Sequence, residues 1–370
     1  MRKFLTTLFE NLAEKLREKE SHIAIPESKN IDIENKPKAK KSLKKRSPKV
    51  QKNTPIKAEI KEDFPEISDQ KMKLISIAGG IRLDPDKTES AFMARQLVQA
   101  TLPHKNPGNV PAWSRKNGNL TLTIRSGWDH KKRKNIGYPY GTIPRLLLFW
   151  ITTEAVRTRS RKLELGDSLS EFMRNLGLNY HTGGGKRGDV KRLKNQMERL
   201  LRANISLDIE KEDKKVIGKR WIDMQVAPEG ELWWDIKNPN QSSLFCSWIE
   251  LSDKFYDAIV SAPVPVDMRA LKALKRSPLA LDFYAWATYT AYQTQKNEKE
   301  RSISWEWLHK QFGAEYGKID EFARKSWNAL RKVQAVYPEL NIERIRGGII
   351  VLPSKPSITI KSKMSKKLSA

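Results

Sequence analysis

Apolar residues recur every three or four positions through much of this chain, and in a few short stretches they alternate with polar ones. The first pattern predicts amphipathic helices and the second half-buried strands. The most informative stretch runs through residues 168–202. Leu169, Phe172, Met173 and Leu176 share one helical face. Ser168 suits the N-cap, Glu171 three residues on completes a capping box, and Gly177 supplies a stop. After a turn rich in glycine (Gly183, Gly184, Gly185, Gly188), a second helix is expected from Asp189, whose carboxylate suits a helix N-terminus. Val190, Leu193, Met197, Leu200 and Leu201 form its apolar stripe. The other face carries Lys191, Arg192, Lys194, Asn195, Gln196, Arg199 and Arg202, with Lys186 and Arg187 just before it. A short helix packed under a second helix with cations and amides outward is the layout of a helix-turn-helix. An ordinary amphipathic helix with a solvated face gives the same pattern.

Taken in order, residues 1–20 predict an amphipathic helix with Leu5, Leu8, Phe9, Leu12 and Leu16 on one side. Docking in a partner's groove, self-association and packing back on the folded body compete for that face. Residues 21–72 predict a disordered basic linker, since residues 36–57 hold cations, prolines and polar residues, no acid and little to bury. Such a run attracts phosphate non-specifically or serves as a tether. Folded structure is expected from Lys73, with a strand at Leu74, Ile75 and Ile77, a helix over residues 88–102, and a strand at 120–124 before a basic loop at 130–134. Thr142 is expected to cap a helix that has Pro144 in its first turn and is apolar nearly all round over residues 146–151. A short strand at 162–165 precedes the helix-turn-helix. Two alternating stretches follow it, at Ile205, Leu207, Ile209 and at Ile222, Met224, Val226, around a polar tip. They predict a hairpin, and a hairpin after a recognition helix is a wing. Lys214, Lys215, Lys219 and Arg220 make it basic.

The pattern then repeats. Ser277-Pro278 opens an aromatic-rich helix, residues 302–304 are extended, Trp305, Leu308 and Phe312 lie on a helix ended by Gly313, and a long helix spans residues 318–336. Ile319, Phe322, Ala323, Leu330 and Val333 face inward on it, while Lys325, Asn328, Arg331 and Lys332 lie opposite with Arg324 near the boundary. A hairpin turning at Gly347-Gly348 carries Arg344 and Arg346. Two successive copies are far harder to obtain by chance than one. The expected fold class is α+β, mainly helical, with tandem winged-helix (helix-turn-helix) domains over residues 73–227 and 228–356 and a flexible tail over 357–370.

Charge sharpens this picture. The 370 residues carry a formal net charge of +27, which favours a polyanionic partner, nucleic acid before an anionic membrane. The single cysteine, Cys246, excludes an intramolecular disulfide and a multi-cysteine zinc site. No apolar run reaches the length of a membrane span, and the short apolar stretch at residues 5–9 is not a convincing signal peptide, so a cytoplasmic location is expected. Catalytic chemistry is not legible. The five histidines lack metal-ligand spacing. The glycine-rich turn lacks the lysine and hydroxyl of a P-loop. Asp84-Pro85-Asp86 reads as a polar turn in preference to a carboxylate pair for Mg²⁺. No enzyme activity, metal or cofactor is therefore expected.

Several blocks, in order, resemble the plasmid-encoded RepA replication initiators of bacteria. They are Leu102-Pro103-His104-Lys105, then residues 137–148 from Gly137-Tyr138-Pro139-Tyr140-Gly141-Thr142 through Leu148, then Thr153-Glu154-Ala155-Val156-Arg157-Thr158. Residues 165–173, Gly184-Gly185 and Gln196-Met197 follow, so the resemblance covers roughly residues 74–355. It implies binding to repeated origin sequences (iterons), opening of adjacent A+T-rich DNA, and recruitment of the host replicative helicase, often with DnaA. It also implies repression of the protein's own promoter by a homodimer, with the monomer as initiator.

The expected ligand is double-stranded DNA, with Arg187, Lys191, Arg192, Lys194, Asn195 and Arg199 as contacts in the first domain. Lys325, Asn328, Arg331, Lys332, Arg344 and Arg346 are the candidates in the second. A sequence-specific transcriptional regulator without an initiation role is the alternative, and a nicking or primer-making initiator is a third reading with no site to support it.

Overall fold

The computed structural model describes residues 68–84, 88–179, 188–213, 216–233, 247–313 and 315–358. The helix expected at residues 1–20 and nearly all of the linker lie outside these residues, as do Lys186, Arg187, the glycines at 183–185, Lys214, Lys215, Asp86, Cys246 and the end of the tail. Folded structure opens with a helix, α1 (Asp69–Leu83), ahead of the Lys73 start and in place of the expected strand. Leu74, Ile77, Ala78 and Ile81 stand at helical spacing, and Ala78 and Ile81 are buried. The neighbours Gly79 and Gly80 lie inside the helix and do not end it. The helix expected over 88–102 is also corrected. It is a strand, β1 (Ser90–Ala94), followed by a short helix, α2 (Arg95–Gln99).

The strand at 120–124 is present as β3 (Leu120–Arg125), paired on one side with β2 (Trp113–Asn117), which the sequence pattern does not announce. A small hairpin, β4 (Trp128–Asp129) and β5 (Lys134–Asn135), occupies the basic loop. Helix α3 (Thr142–Thr158) is buried on nearly every side. Its N-cap is Gly141, at φ 80, and Thr142 makes no capping bond. After β6 (Lys162–Glu164) come α4 (Leu169–Asn175) and α5 (Asp189–Leu201). Ser168 caps α4 as expected, accepting from the Glu171 N–H at 3.3 Å. The predicted hairpin is β7 (Asn204–Asp213) with β8 (Val216–Gln225). It adds to β2 and β3 in one antiparallel sheet of order β2-β3-β7-β8. Strand β6 pairs elsewhere, with β10 (Trp248–Glu250), beside β9 (Glu229–Glu231).

Helix α6 (Asp253–Val260), capped by Ser252, leads into two elements the pattern did not show, β11 (Pro263–Asp267) and α7 (Met268–Leu274). Helix α8 (Pro278–Asn297) follows its Ser277 cap and is buried almost all round. The last third matches expectation closely: β12 (Arg301–Ser304), α9 (Trp305–Phe312), α10 (Ile319–Val336), then β13 (Ile342–Ile345) and β14 (Gly348–Val351). These three strands form a sheet of order β12-β14-β13. Gly348 of β14 lies so close to the β12 backbone that a Cβ there would fall on the Ile303 carbonyl oxygen.

The fold is thus a mixture of helices and small antiparallel sheets. The core is continuous between the two halves of the sequence. Helices α3 and α8 pack on each other, and the ribbon β1–β11 runs against both, β1 on α3 and β11 on α8. Helix α1 closes one side, against α7 and α10. Among the described residues no helix is long and apolar enough to cross a membrane.

Candidate nucleic-acid interface

Helix α5 owes its orientation to a buried stripe of Leu193, Met197, Leu200 and Leu201 against α3. Lys191, Arg192, Lys194 and Asn195 stand exposed on the other side. Two further side chains fix the helix to the turn before α3. Gln196 is buried, and its Oε1 accepts from the Tyr140 backbone N–H at 2.8 Å. Arg199 is half-buried, donates from Nη1 to the Tyr138 carbonyl at 3.2 Å and lies 5.5 Å from the centre of the Tyr140 ring. The sequence offers Arg199 to DNA, whereas the structure turns it toward the Tyr138-Pro139-Tyr140 turn. Arg192 stays exposed, with Nη1 3.1 Å from Asp189 Oδ1.

In the second copy, Phe322, Ser326, Leu330 and Val333 bury one face of α10, and Arg324, Lys325, Asn328, Arg331 and Lys332 are exposed on the other. Lys325 pairs with Glu321 at 2.9 Å and sits 5.4 Å from the Tyr316 ring centre. That bond to Glu321 raises the Lys325 pKa, so its charge is secure. Arg344 on β13 and Arg346 at the hairpin turn are exposed. Every candidate within the described residues except Arg199 therefore presents its charge or amide to solvent, and Arg187 lies outside them.

A cluster of buried charges links the two copies, and no sequence expectation included it. Arg145 of α3 grips Asp282 of α8 with two bonds, Nε to Oδ1 at 2.7 Å and Nη2 to Oδ2 at 2.8 Å. Its remaining N–H groups reach the carbonyls of Leu102, Pro103 and Gly141. His104 Nε2 lies 2.7 Å from Asp282 Oδ2, and since an ionised carboxylate only accepts, the imidazole donates there. Arg115 of β2, also buried, meets both oxygens of Glu315 and the Gln311 carbonyl. Burial disfavours the charged form of Asp282, but Arg145 and the His104 bond outweigh it and hold the carboxyl far below its ordinary range. Burial lowers the His104 pKa, the Arg145 and Arg115 charges add to that, and together they outweigh the raising pull of Asp282. A signal for this cluster exists in the sequence. Arg145 is the one charge of α3 before Glu154, Asp282 is the one charge of α8 before Lys296, and the two are of opposite sign.

Two clefts flank α5. One, of about 490 Å³, runs from Lys191, Arg192 and Asn195 to Arg276 and Pro278 at the start of α8, with Tyr140 and Thr142 on its wall. The other, of about 650 Å³, separates Asn195, Glu198 and Arg199 from Lys132, Arg133 and Lys134 of the β4–β5 hairpin. Neither Arg276 nor these hairpin residues were among the expected contacts. Among the described residues no group of three or more His, Cys, Asp and Glu side chains is placed to hold a metal ion.

Residues 138–307 match the family model RepA_C, described as plasmid encoded RepA protein. The matched region starts in the turn held by Gln196 and Arg199, contains α3 through β12 and ends in α9. No curated protein matches the sequence. Among solved structures, the crystal structure of RctB domains 2-3 shares 11% identity over 69% of this chain and 95% of that one, with a TM-score of 0.40.

Proposed function

We propose that this chain, similar over residues 138–307 to plasmid encoded RepA protein, is a plasmid replication initiator that binds repeated origin DNA through two winged-helix domains. The observation that carries this reading is the repeated order of elements. In each half a buried helix is followed by a short strand, a short helix, a longer basic helix and a hairpin: α3, β6, α4, α5, β7–β8, and then α8, β12, α9, α10, β13–β14. The strand order β12-β14-β13 is that of a winged helix with the wing on β13–β14. In the first half the hairpin is widened by β2 and β3 instead, and β6 pairs with β10.

On this reading α5 and α10 each enter a major groove, about one helical turn apart on one face of the DNA. Lys191, Arg192, Lys194 and Asn195 contact one half of the site, and Lys325, Asn328, Arg331 and Lys332 the other. The Arg344/Arg346 wing reaches toward a minor groove whose negative potential attracts arginine. Arg199 acts by holding the turn before α3. Bending the site costs on the order of 1–6 kcal/mol, offset by contacts from both halves. The chain works in the cytoplasm without catalytic chemistry of its own, and opens the origin together with host replication proteins, DnaA and the replicative helicase.

The test is footprinting on the DNA repeats beside this gene. Arg192→Ala and Arg331→Ala should each cost about 1–3 kcal/mol where the guanidinium meets a base edge, and should weaken different halves of one footprint. Their effects should add to within about 0.5 kcal/mol. A footprint of one helical turn, untouched by substitutions in α10, would end the two-helix reading. Maintenance of a plasmid lacking any other origin, by this gene and its adjacent DNA alone, separates an initiator from a transcriptional regulator.

A further inference from the structure

The β4–β5 hairpin is built as a cationic finger with an anchored turn. His130, Lys131, Lys132, Arg133 and Lys134 are all exposed at its tip. Asp129 fixes that tip. Its Oδ1 accepts from the backbone N–H groups of Lys131 and Lys132, both at 3.1 Å, and its Oδ2 holds the Lys132 ammonium at 2.9 Å. The Lys132 bonds hold the Asp129 carboxyl at about 2, so the anchor stays ionised near neutral pH. Arg133 takes the left-handed conformation at φ 49 that lets so short a turn close. Lys131, Arg133 and Lys134 enter no ion pair within the described residues.

The base of the finger is fixed to the last turn of α5. Gly127 packs so tightly on Arg202 that a Cβ would stand 2.5 Å from its carbonyl oxygen. Arg202 Nη2 donates to the Trp128 carbonyl at 3.2 Å, and Ile136 N donates to the Gly127 carbonyl at 2.9 Å. These contacts set the finger beside α5, across the cleft lined by Asn195 and Arg199 on one side and Arg133 and Lys134 on the other.

We propose that this finger is a phosphate clamp, and that Lys131, Arg133 and Lys134 take the sugar-phosphate backbone of the duplex flanking the groove that α5 enters. The proposal rests on the reading of α5 as a groove helix. Ammonium and guanidinium groups carried on a short turn beside the groove helix, and not on that helix, are placed for phosphate oxygens, contacts that fix register and carry no sequence information. The finger thus sets where α5 lies on the duplex and supplies affinity common to all sequences, while α5 supplies the discrimination.

The test uses the full chain with the triple substitution Lys131→Ser, Arg133→Asn and Lys134→Ser, asparagine being tolerant of the left-handed backbone. Asp129 and Lys132 stay, so the turn keeps its anchor, and a thermal melt that matches the parent establishes the fold. Binding is measured over a salt series to a duplex of the repeats beside this gene and to a scrambled duplex. Each lost phosphate contact should flatten the log–log salt slope by about 0.9, hence by up to about 2.7 for three. Both duplexes should lose affinity by the same factor, and hydroxyl-radical protection should vanish on the outer flank of the half-site read by α5. Arg133→Asn alone should flatten the slope by about 0.9. An unchanged slope and footprint in the folded triple variant would overturn the clamp. A parent protein that bound both duplexes equally would overturn the groove reading of α5 instead, and the slope alone would then decide the finger's part.

Discussion

Arg145 and Asp282 form a two-pronged ion pair, at 2.7 and 2.8 Å, between the two most deeply buried helices, one from each half of the sequence. Their side chains are 2% and 7% exposed, so neither charge can turn to water if its partner is removed. Asp282→Ala should therefore destabilise the protein by about 3–5 kcal/mol, the cost of stranding a buried guanidinium. Urea unfolding measures it. Replacing both members, as Arg145→Met with Asp282→Leu, should recover much of that loss. A single substitution costing under 1 kcal/mol would mean that water reaches the site.

Acid should loosen the molecule through His104. Burial lowers its pKa in the fold, while the unfolded chain takes up the proton near 6.5. The unfolded state then binds more protons below that value, so stability is full above about pH 6.5 and declines as pH falls toward the folded value. Asp282 is also depressed, so its contribution is lost in the same direction, but only below the ordinary carboxylate range near 4. Urea midpoints at pH 7.5 and 5.5 isolate the histidine. The parent should be weaker at the lower pH and His104→Gln should show little difference. Equal midpoints for the parent would show that His104 protonates as easily in the fold as outside it.

The bond from Tyr140 N to Gln196 Oε1 ties α5 to the turn before α3. Gln196→Leu keeps the bulk and removes the acceptor, leaving a part-buried N–H unpaired at about 1–3 kcal/mol. Hydrogen exchange at Tyr140 should quicken, and affinity for the repeats should fall although Gln196 itself is buried. Protection unchanged at that amide would place the anchor elsewhere, on Arg199.

Gly348→Ala should displace the last hairpin, because the added Cβ would meet the Ile303 backbone and not a yielding side chain. Overpacking of this kind costs about 1–3 kcal/mol. Loss of exchange protection across β12 and β14, with Arg344 and Arg346 then contributing less to binding, is the expected result. Full protection in the variant would show that the two strands part without penalty.

The elements with one face in water were legible from the sequence. Helices α5 and α10 bury one stripe and expose the other, and that contrast is what a period of 3.6 detects. Ser168 and Ser277 act as the caps their positions suggest. The failures share a different cause. Phe92, Leu97 and Val98 fit a helix well enough, and only pairing with β11 makes Ser90–Ala94 a strand. Helix α1 has the right spacing at Leu74, Ile77, Ala78 and Ile81, but the Gly79-Gly80 pair reads locally as a break. The charge cluster went unread for a similar reason, although Arg145 and Asp282 stand out in apolar stretches. His104, Arg115 and Glu315 each read as surface residues, and nothing local says that Arg145 and Asp282 are partners until the fold brings them together. Of the candidate residues, the exposed members of both basic helices stand in solvent as the pattern put them, whereas Arg199 turns toward Tyr138 and Tyr140.

The β1–β11 ribbon also bears on how the protein is made. Strand β1 is complete early in synthesis, but its partner lies roughly 170 residues further along the chain. At about 5–20 residues per second, that partner leaves the ribosome on the order of ten seconds later at the earliest. Throughout that interval β1 lacks its partner strand, and α3 lacks α8 with the carboxylate that neutralises Arg145. A translational pause before residue 263 would therefore prolong that interval without altering a single native contact.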